Sequence, residues 1–368
     1  MIAVIIFTVV LFLSYSNGAN DNFKGVATLY GSNTATYRFS LQWTSVFTFL
    51  GAALSVILAT TLIKKFSGKG LIAEDIINTQ RFVIAVALAA AATVLLASRI
   101  GMPVSTTHAL IGSLVGAGLI AVGMQLHFQQ LGKSFLLPLL LSPLIAALFS
   151  FLFYSFLHRI RLQTGIEKEI CFCKPVTVVQ TLNPQMQLLA AAPVVMADGK
   201  MCKEKYSGKL IGIPLQSFVR NAHFFSAATV CFARGLNDAP KIAGLLLLLH
   251  LGDMRLALLA IAIAMVVGGL LHSKKIAETM SKKITPLNEG QAFSANFITG
   301  GMVVAASFFG LPVSTTHVSV GSIFGIGLKT GKTNNKVISQ ILLSWLLTLP
   351  VAIIFSALFY FLLSFFNI

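Results

Sequence analysis

The chain has 368 residues, of which 56% are hydrophobic and only 10% charged, and its mean hydropathy is +0.85. A soluble domain carries about 25% charged residues, so this composition excludes a water-soluble fold and describes an all-α polytopic membrane protein held in the lipid bilayer. The formal net charge of +16 is read as loops that obey the positive-inside rule, not as a nucleic-acid surface, and no nucleic-acid partner is expected.

In chain order, the first half divides into five apolar segments, 1–31, 41–63, 82–98, 104–124 and 135–157. A membrane helix needs about 20 apolar residues. The apolar N-terminus lacks a basic n-region and runs straight into a polar motif, so it is read as a retained span. Residues 159–217 are polar, charged and broken by Pro175, Pro184, Pro193 and Pro214, which makes them a linker. Its Cys171, Cys173 and Cys202 lack the spacing of a metal site and are read as reduced thiols. Five further segments follow: 218–250, 255–272, 293–309, 313–328 and 337–366.

The predicted organisation is thus a first transmembrane repeat (1–158), a linker (159–217) and a second repeat (218–368). An odd number of crossings turns the second repeat upside down, the inverted-topology arrangement of transporters. Lysines and arginines outside the spans gather in the linker and in the segments on its side, such as Arg38, Arg99, Arg220, Lys274 and Lys275. That bias places the linker in the cytoplasm and both termini outside.

Two polar motifs occur once per half. Gly101-Met102-Pro103-Val104-Ser105-Thr106-Thr107-His108 returns as Gly310-Leu311-Pro312-Val313-Ser314-Thr315-Thr316-His317. Proline suits the first turn of a helix, and Ser and Thr cap helix N-termini. The spacing predicts a helix that starts inside the membrane, at the tip of a re-entrant hairpin. Such an N-terminus carries about half a positive charge and binds oxyanions. Ser105, Thr106, Thr107, Ser314, Thr315 and Thr316 are therefore the candidate anion ligands. A tight turn with ordinary caps is the structural alternative. Gly112, Gly116 and Gly118 recur as Gly321, Gly325 and Gly327 and are assigned to close helix packing.

The second motif is Gly18-Ala19-Asn20-Asp21, repeated as Gly235-Leu236-Asn237-Asp238, with Lys24 and Lys241 three residues after each aspartate. A carboxylate inside a span is a functional candidate by default. Each motif is expected at a glycine-bearing helix break, where Asn20, Asp21, Asn237 and Asp238 line a cation site and sodium binds at Asp21 and Asp238. The alternative is two buried ion pairs with Lys24 and Lys241. Arg234 has no matching cation in the first half and is assigned to anion binding or an ion pair. His108 and His317 are candidate proton carriers.

These motifs resemble those of the inorganic phosphate transporter (PiT) family, whose signature is Gly-Ala-Asn-Asp near the start of each of two inverted repeats, accompanied by two Pro-Val-Ser-Thr-Thr-His hairpins. The resemblance covers 14–158 and 218–366. It implies symport of phosphate with sodium or protons by alternating access, with sulfate as the cargo of some relatives. It also implies that the anion rests on the two Ser-Thr-Thr triplets and the cations on the Asn-Asp pairs. This chain has Lys24 where the family commonly has asparagine, which leaves the coupling ion open. No other cofactor is expected, and the candidate assembly is a homodimer. No His-Glu-x-x-His motif or nucleophile elbow occurs, so no enzymatic activity is expected. A passive anion channel is the other reading.

Overall fold

The computed structural model describes residues 2–164, 168–169, 205–206, 209–210, 213–247 and 253–366. Ten long helices carry the fold. They are α1 (Ile2–Asp21), α2 (Tyr37–Leu58), α3 (Gln80–Ile100), α4 (Thr106–Val122), α5 (Leu137–Gln163), α6 (Leu215–Leu247), α7 (Met254–His272), α8 (Glu289–Phe308), α9 (Thr315–Thr330) and α10 (Asn335–Phe365). Among the described residues, seven helical segments are long and apolar enough to cross a membrane. The three long helices outside that set have evident reasons. Helix α6 carries Arg234, Asp238 and Lys241, α8 carries Gln291 and Asn296, and α9 has only 16 residues.

The helices match the ten apolar segments expected from the sequence. The expected linker is shorter at both ends, because α5 continues to Gln163 and α6 already starts at Leu215. Two short antiparallel pairings lie near it, Lys168–Glu169 with Lys205–Tyr206 and Lys209–Leu210 with Ile213–Pro214. The readings of Cys171, Cys173 and Cys202 fall outside the described residues.

Packing partners follow one rule in both halves. Helix α1 packs on α7 and α2 on α6; α4 packs on α10 and α5 on α9; α1 packs on α3 and α6 on α8. Exchanging α1–α5 with α6–α10 turns each pair into the other. The recurring glycines make these contacts close. A Cβ on Gly116 would run into the Ile353 backbone of α10, and one on Gly325 into the Ala147 backbone of α5.

Each Pro-Val-Ser-Thr-Thr-His segment works as a stop followed by a start. Helix α3 ends where Gly101 takes φ +77° and Met102 N donates back to Ala97 O at 2.9 Å. After α8, Gly310 takes φ +64° and Leu311 N donates to Ala306 O at 2.7 Å. Glycine accepts this left-handed conformation without a Cβ clash. Four residues after each glycine a serine caps the next helix. Helix–tip–helix units thus join α3 to α4 and α8 to α9.

The expected glycine-bearing break ahead of each aspartate is absent, since α1 runs through Gly18 to Asp21 and α6 through Gly235 to Asp238; a break occurs in one half only, and after the aspartate. After Asp21 the chain passes into a 3-10 segment, Asn22–Val26, and then a short helix, Ala27–Gly31. Thr44 Oγ1 takes up the Asn22 carbonyl at 2.5 Å, which gives the backbone an alternative to the α-helical ladder. In the second half α6 runs unbroken through Gly235, Asp238 and Pro240. Proline removes one helical hydrogen bond, yet its φ is compatible with a helix, and the flanking turns hold the line.

Candidate functional site

The two helix–tip–helix units meet at one point. Ser105 Oγ accepts from His108 N at 3.1 Å and Ser314 Oγ from His317 N at 3.3 Å, the N-cap that the sequence led one to expect. Across the junction, Thr316 Oγ1 donates to Val104 O at 2.9 Å and Thr107 Oγ1 to Val313 O at 3.4 Å. Each tip therefore bonds to the backbone of the other.

Two lysines turn these bonds into triangles. Lys24 Nζ donates to Val104 O at 2.8 Å and to Thr316 Oγ1 at 2.6 Å. Lys241 Nζ donates to Val313 O at 2.6 Å and to Thr107 Oγ1 at 2.8 Å. Lys24 also donates to Asn20 Oδ1 at 2.8 Å and pairs with Asp21. The four oxygens that a small cation would find here therefore surround an ammonium. Lys241 stands farther from its own carboxylate, 3.7 Å from Asp238 Oδ1.

Asn20 and Asn237 anchor the motifs to the tips. Asn20 Oδ1 accepts from Val104 N at 3.2 Å, and its Nδ2 donates to Ser98 Oγ and Met102 O, each at 3.1 Å. Asn237 Nδ2 donates to Val313 O at 3.2 Å and its Oδ1 accepts from Ser307 Oγ at 3.3 Å. Ser98 and Ser307 each stand three residues before the glycine that ends their helix.

Arg234 joins the halves. Its Nη2 donates to Asn17 Oδ1 at 2.7 Å, its Nη1 to Asn22 Oδ1 at 2.8 Å, and its Nε lies 3.7 Å from Asp238 Oδ2. Asn17 Nδ2 donates to Asp21 Oδ2 at 3.1 Å, Thr106 Oγ1 at 3.0 Å and Asp238 Oδ2 at 3.3 Å. Asn17 and Arg234 each directly precede the glycine of their motif. They are matched positions holding each other across the centre.

Every polar side chain of the two motifs is buried, none more than 8% exposed. Three cations, Lys24, Lys241 and Arg234, face two carboxylates there. In this arrangement the hydroxyls are mostly engaged. Ser105 and Ser314 cap, Thr106 donates to Asp21 at 3.0 Å, and Thr107 and Thr316 bridge the tips. Thr315 alone of the six has no hydrogen-bond partner among the described residues. The His108 and His317 rings lie 4.6 Å apart, and His317 stacks at 3.8 Å on Trp345. His108 Nδ1 and His317 Nε2 are buried without partners.

A profile of the phosphate transporter family matches residues 17–356, which include every residue of this centre. The chain belongs to the phosphate transporter family. With seven membrane-competent helices, this transporter is a membrane protein. It is 27% identical over 396 residues to a protein of Pyrococcus abyssi that bears the name "putative phosphate permease", with 95% of each chain covered. It is 26% identical over 423 residues to the chloroplastic inorganic phosphate transporter 2-1 of Arabidopsis thaliana, covering 96% of this chain and 71% of that one. Its fold is similar to a solved structure described as the sodium-dependent phosphate transporter, with a TM-score of 0.77, 24% identity and 99% of both chains covered.

Sequence reasoning brought the motifs together and missed Asn17, Asn22, Ser98, Ser307 and Trp345. A signal existed for Asn17, because aligning the two motifs sets it against Arg234. Ser98 and Ser307 likewise recur at one offset from the tip glycines. Nothing in the sequence marked Trp345, whose Nε1 donates to Pro103 O at 3.2 Å.

Proposed function

We propose that this transporter is a secondary active symporter of inorganic phosphate, with the anion held between the two Ser-Thr-Thr tips and driven by sodium or protons. One observation carries the reading: three buried cations face two carboxylates at the junction of two helix N-termini. One surplus positive charge, with about half a charge from each N-terminus, offsets a phosphate dianion. Helix N-termini and hydroxyls supply donors for its oxygens.

Coupling follows from a shared lysine. An anion between the tips competes with Val104 O, Thr316 Oγ1 and Asp21 for the Lys24 ammonium. Drawing the ammonium toward the anion frees Asp21 for a sodium ion or a proton, and the matched step frees Asp238 from Lys241. Anion and cation then bind cooperatively, because each relieves the other's competitor. By linkage, the factor by which the cation raises phosphate affinity equals the factor by which phosphate raises cation affinity. Breaking the two triangles also parts the tips, which is the movement alternating access requires. His108 and His317 are the proton carriers in the proton-coupled case.

The interchange of helix partners between the halves supports two inverted repeats, with boundaries near 158 and 218. Helices α3–α4 and α8–α9 are read as re-entrant hairpins. The linker is assigned to the cytoplasm and both termini to the outside.

The test is uptake of labelled phosphate into proteoliposomes containing the full chain, with sodium and pH gradients imposed separately. Accumulation beyond electrochemical equilibrium under one of the gradients is expected. Uptake that stops at equilibrium under both makes the protein a channel, and uptake of sulfate in preference to phosphate reassigns the cargo.

A further inference from the structure

Away from the centre, a cavity of about 260 Å³ opens between α5, α6 and α8, walled by Leu157, Arg161, Phe218, Phe293 and Tyr206. Arg161 lies in the last turn of α5, Phe218 in the first turn of α6 and Phe293 in the second turn of α8. The cavity is thus bordered by three helix ends, where spanning helices reach the headgroup layer. Its walls are mostly apolar, with Tyr154, His158, Tyr206, Ser294 and Arg161 as the polar members. Among the described residues, Nε and Nη1 of Arg161 are buried and have no hydrogen-bond partner.

A guanidinium N–H without an acceptor can donate a charge-assisted hydrogen bond to a phosphate oxygen. Left without an acceptor it is costly to bury, and an anion would satisfy it. The walls decide what kind. A free phosphate would lose its water against Leu157, Phe218 and Phe293, whereas a phospholipid brings a phosphate and an acyl chain together. Ile160 and Phe218 on the rim are 39% and 46% exposed, so the opening faces the bilayer. Arg159 and Arg220, exposed on the same helix ends, add positive charge that gathers anionic lipid. The volume lies just below the ~300 Å³ at which ligand pockets begin, which suits a headgroup and chain root with the remaining lipid outside.

The geometry points to a binding site for an anionic phospholipid, its phosphate on the Arg161 guanidinium and an acyl chain along Leu157, Phe218 and Phe293. The site is independent of the transported anion and shares no residue with the centre.

The full chain is reconstituted in vesicles of equal parts phosphatidylcholine and phosphatidylglycerol, extracted in mild detergent, and its retained lipids are counted by native mass spectrometry. Wild type is expected to retain phosphatidylglycerol in preference to phosphatidylcholine. Arg161→Gln is expected to retain it about tenfold less, the order of one charge-assisted hydrogen bond. Ala222→Trp keeps the arginine but fills the cavity, and is expected to lose the same lipid. Equal retention in wild type and both variants overturns the proposal, as does equal retention of the two lipids by wild type. Displacement of the lipid by millimolar inorganic phosphate overturns it in favour of a free-anion site.

Discussion

The two copies of the Asn-Asp motif share a sequence pattern and a set of tip contacts, yet they differ at the carboxylate. Asp21 is held from three sides, by Lys24, Asn17 and Thr106. Asp238 takes Asn17 at 3.3 Å and Asn237 at 3.1 Å, with Lys241 and Arg234 both at 3.7 Å. The first-half carboxylate is thus closed by contact, and the second is balanced by two cations at longer range. The backbone differs in the same sense, broken after Asp21 and continuous through Asp238. Under the proposed symport, near-identical motifs would offer an incoming cation a tight site and a loose one, the loose one being the easier to enter.

The largest expected effect comes from removing either charge. Asp21→Asn leaves Lys24 buried without its partner, and breaking a buried pair costs about 3–5 kcal/mol. Phosphate uptake is expected to fall at least ~100-fold, with a lower melting temperature in detergent. Asp238→Asn is expected to reduce uptake comparably but to lower melting less, because its cations are less tightly bound to it. Equal losses of stability in the two variants would erase the distinction between tight and loose.

Arg234→Asn places in the second half the residue that the first half carries at the matched position. It removes the surplus positive charge, and phosphate affinity measured by calorimetry is expected to drop ~10–100-fold, the range for charged hydrogen bonds. Arg234→Lys should not restore it, because one ammonium cannot reach Asn17 and Asn22 together. Affinity unchanged in Arg234→Asn would reduce Arg234 to a clasp between the halves.

Lys24→Asn removes the ammonium from the tight site. A sodium ion can then reach Asp21, and the sodium dependence of uptake is expected to rise severalfold over that of the parent protein. If ion dependence is the same in both, Lys24 does not stand in the cation's place.

The smallest effect separates two matched hydroxyls. Thr106→Val breaks bonds with Asp21 and Asn17 and is expected to destabilise by ~1–3 kcal/mol. Thr315→Val removes no bond, so a stability change within ~0.5 kcal/mol is expected, together with weaker phosphate binding from loss of a free donor. A Thr315→Val variant as unstable as Thr106→Val would show that the centre is more symmetric than its contacts.

Much of the fold could be read from the chain because its signals are local. Apolar length gives the helices, Gly101 and Gly310 stop them, and Ser105 and Ser314 start the next ones. Each of those decisions depends on backbone geometry within a few residues. The expected break at Gly235 did not occur, since a glycine and a proline only weaken a helix locally. Whether it opens depends on the surrounding packing: Thr44 donates to the Asn22 carbonyl where α1 ends, whereas α6 stays helical even though Thr48 donates to its Cys231 carbonyl at 3.3 Å.

The site divides along the same line. Sequence alone determined the membrane class, the ten helices, the capped tips and the identity of the residues that carry charge. Only the tertiary structure decided that Lys24 and Lys241 reach across to Thr316 and Thr107, that Arg234 is held by Asn17, and that one carboxylate is gripped more closely than the other. The links of Lys24, Lys241 and Arg234 join residues more than 100 positions apart, and all these energies depend on distances of a few ångströms inside a buried centre. A linear pattern fixes which groups are present and which face of a helix carries them. It does not fix the approach of two helices, and in a low-dielectric interior that approach sets the strength of every charge pair.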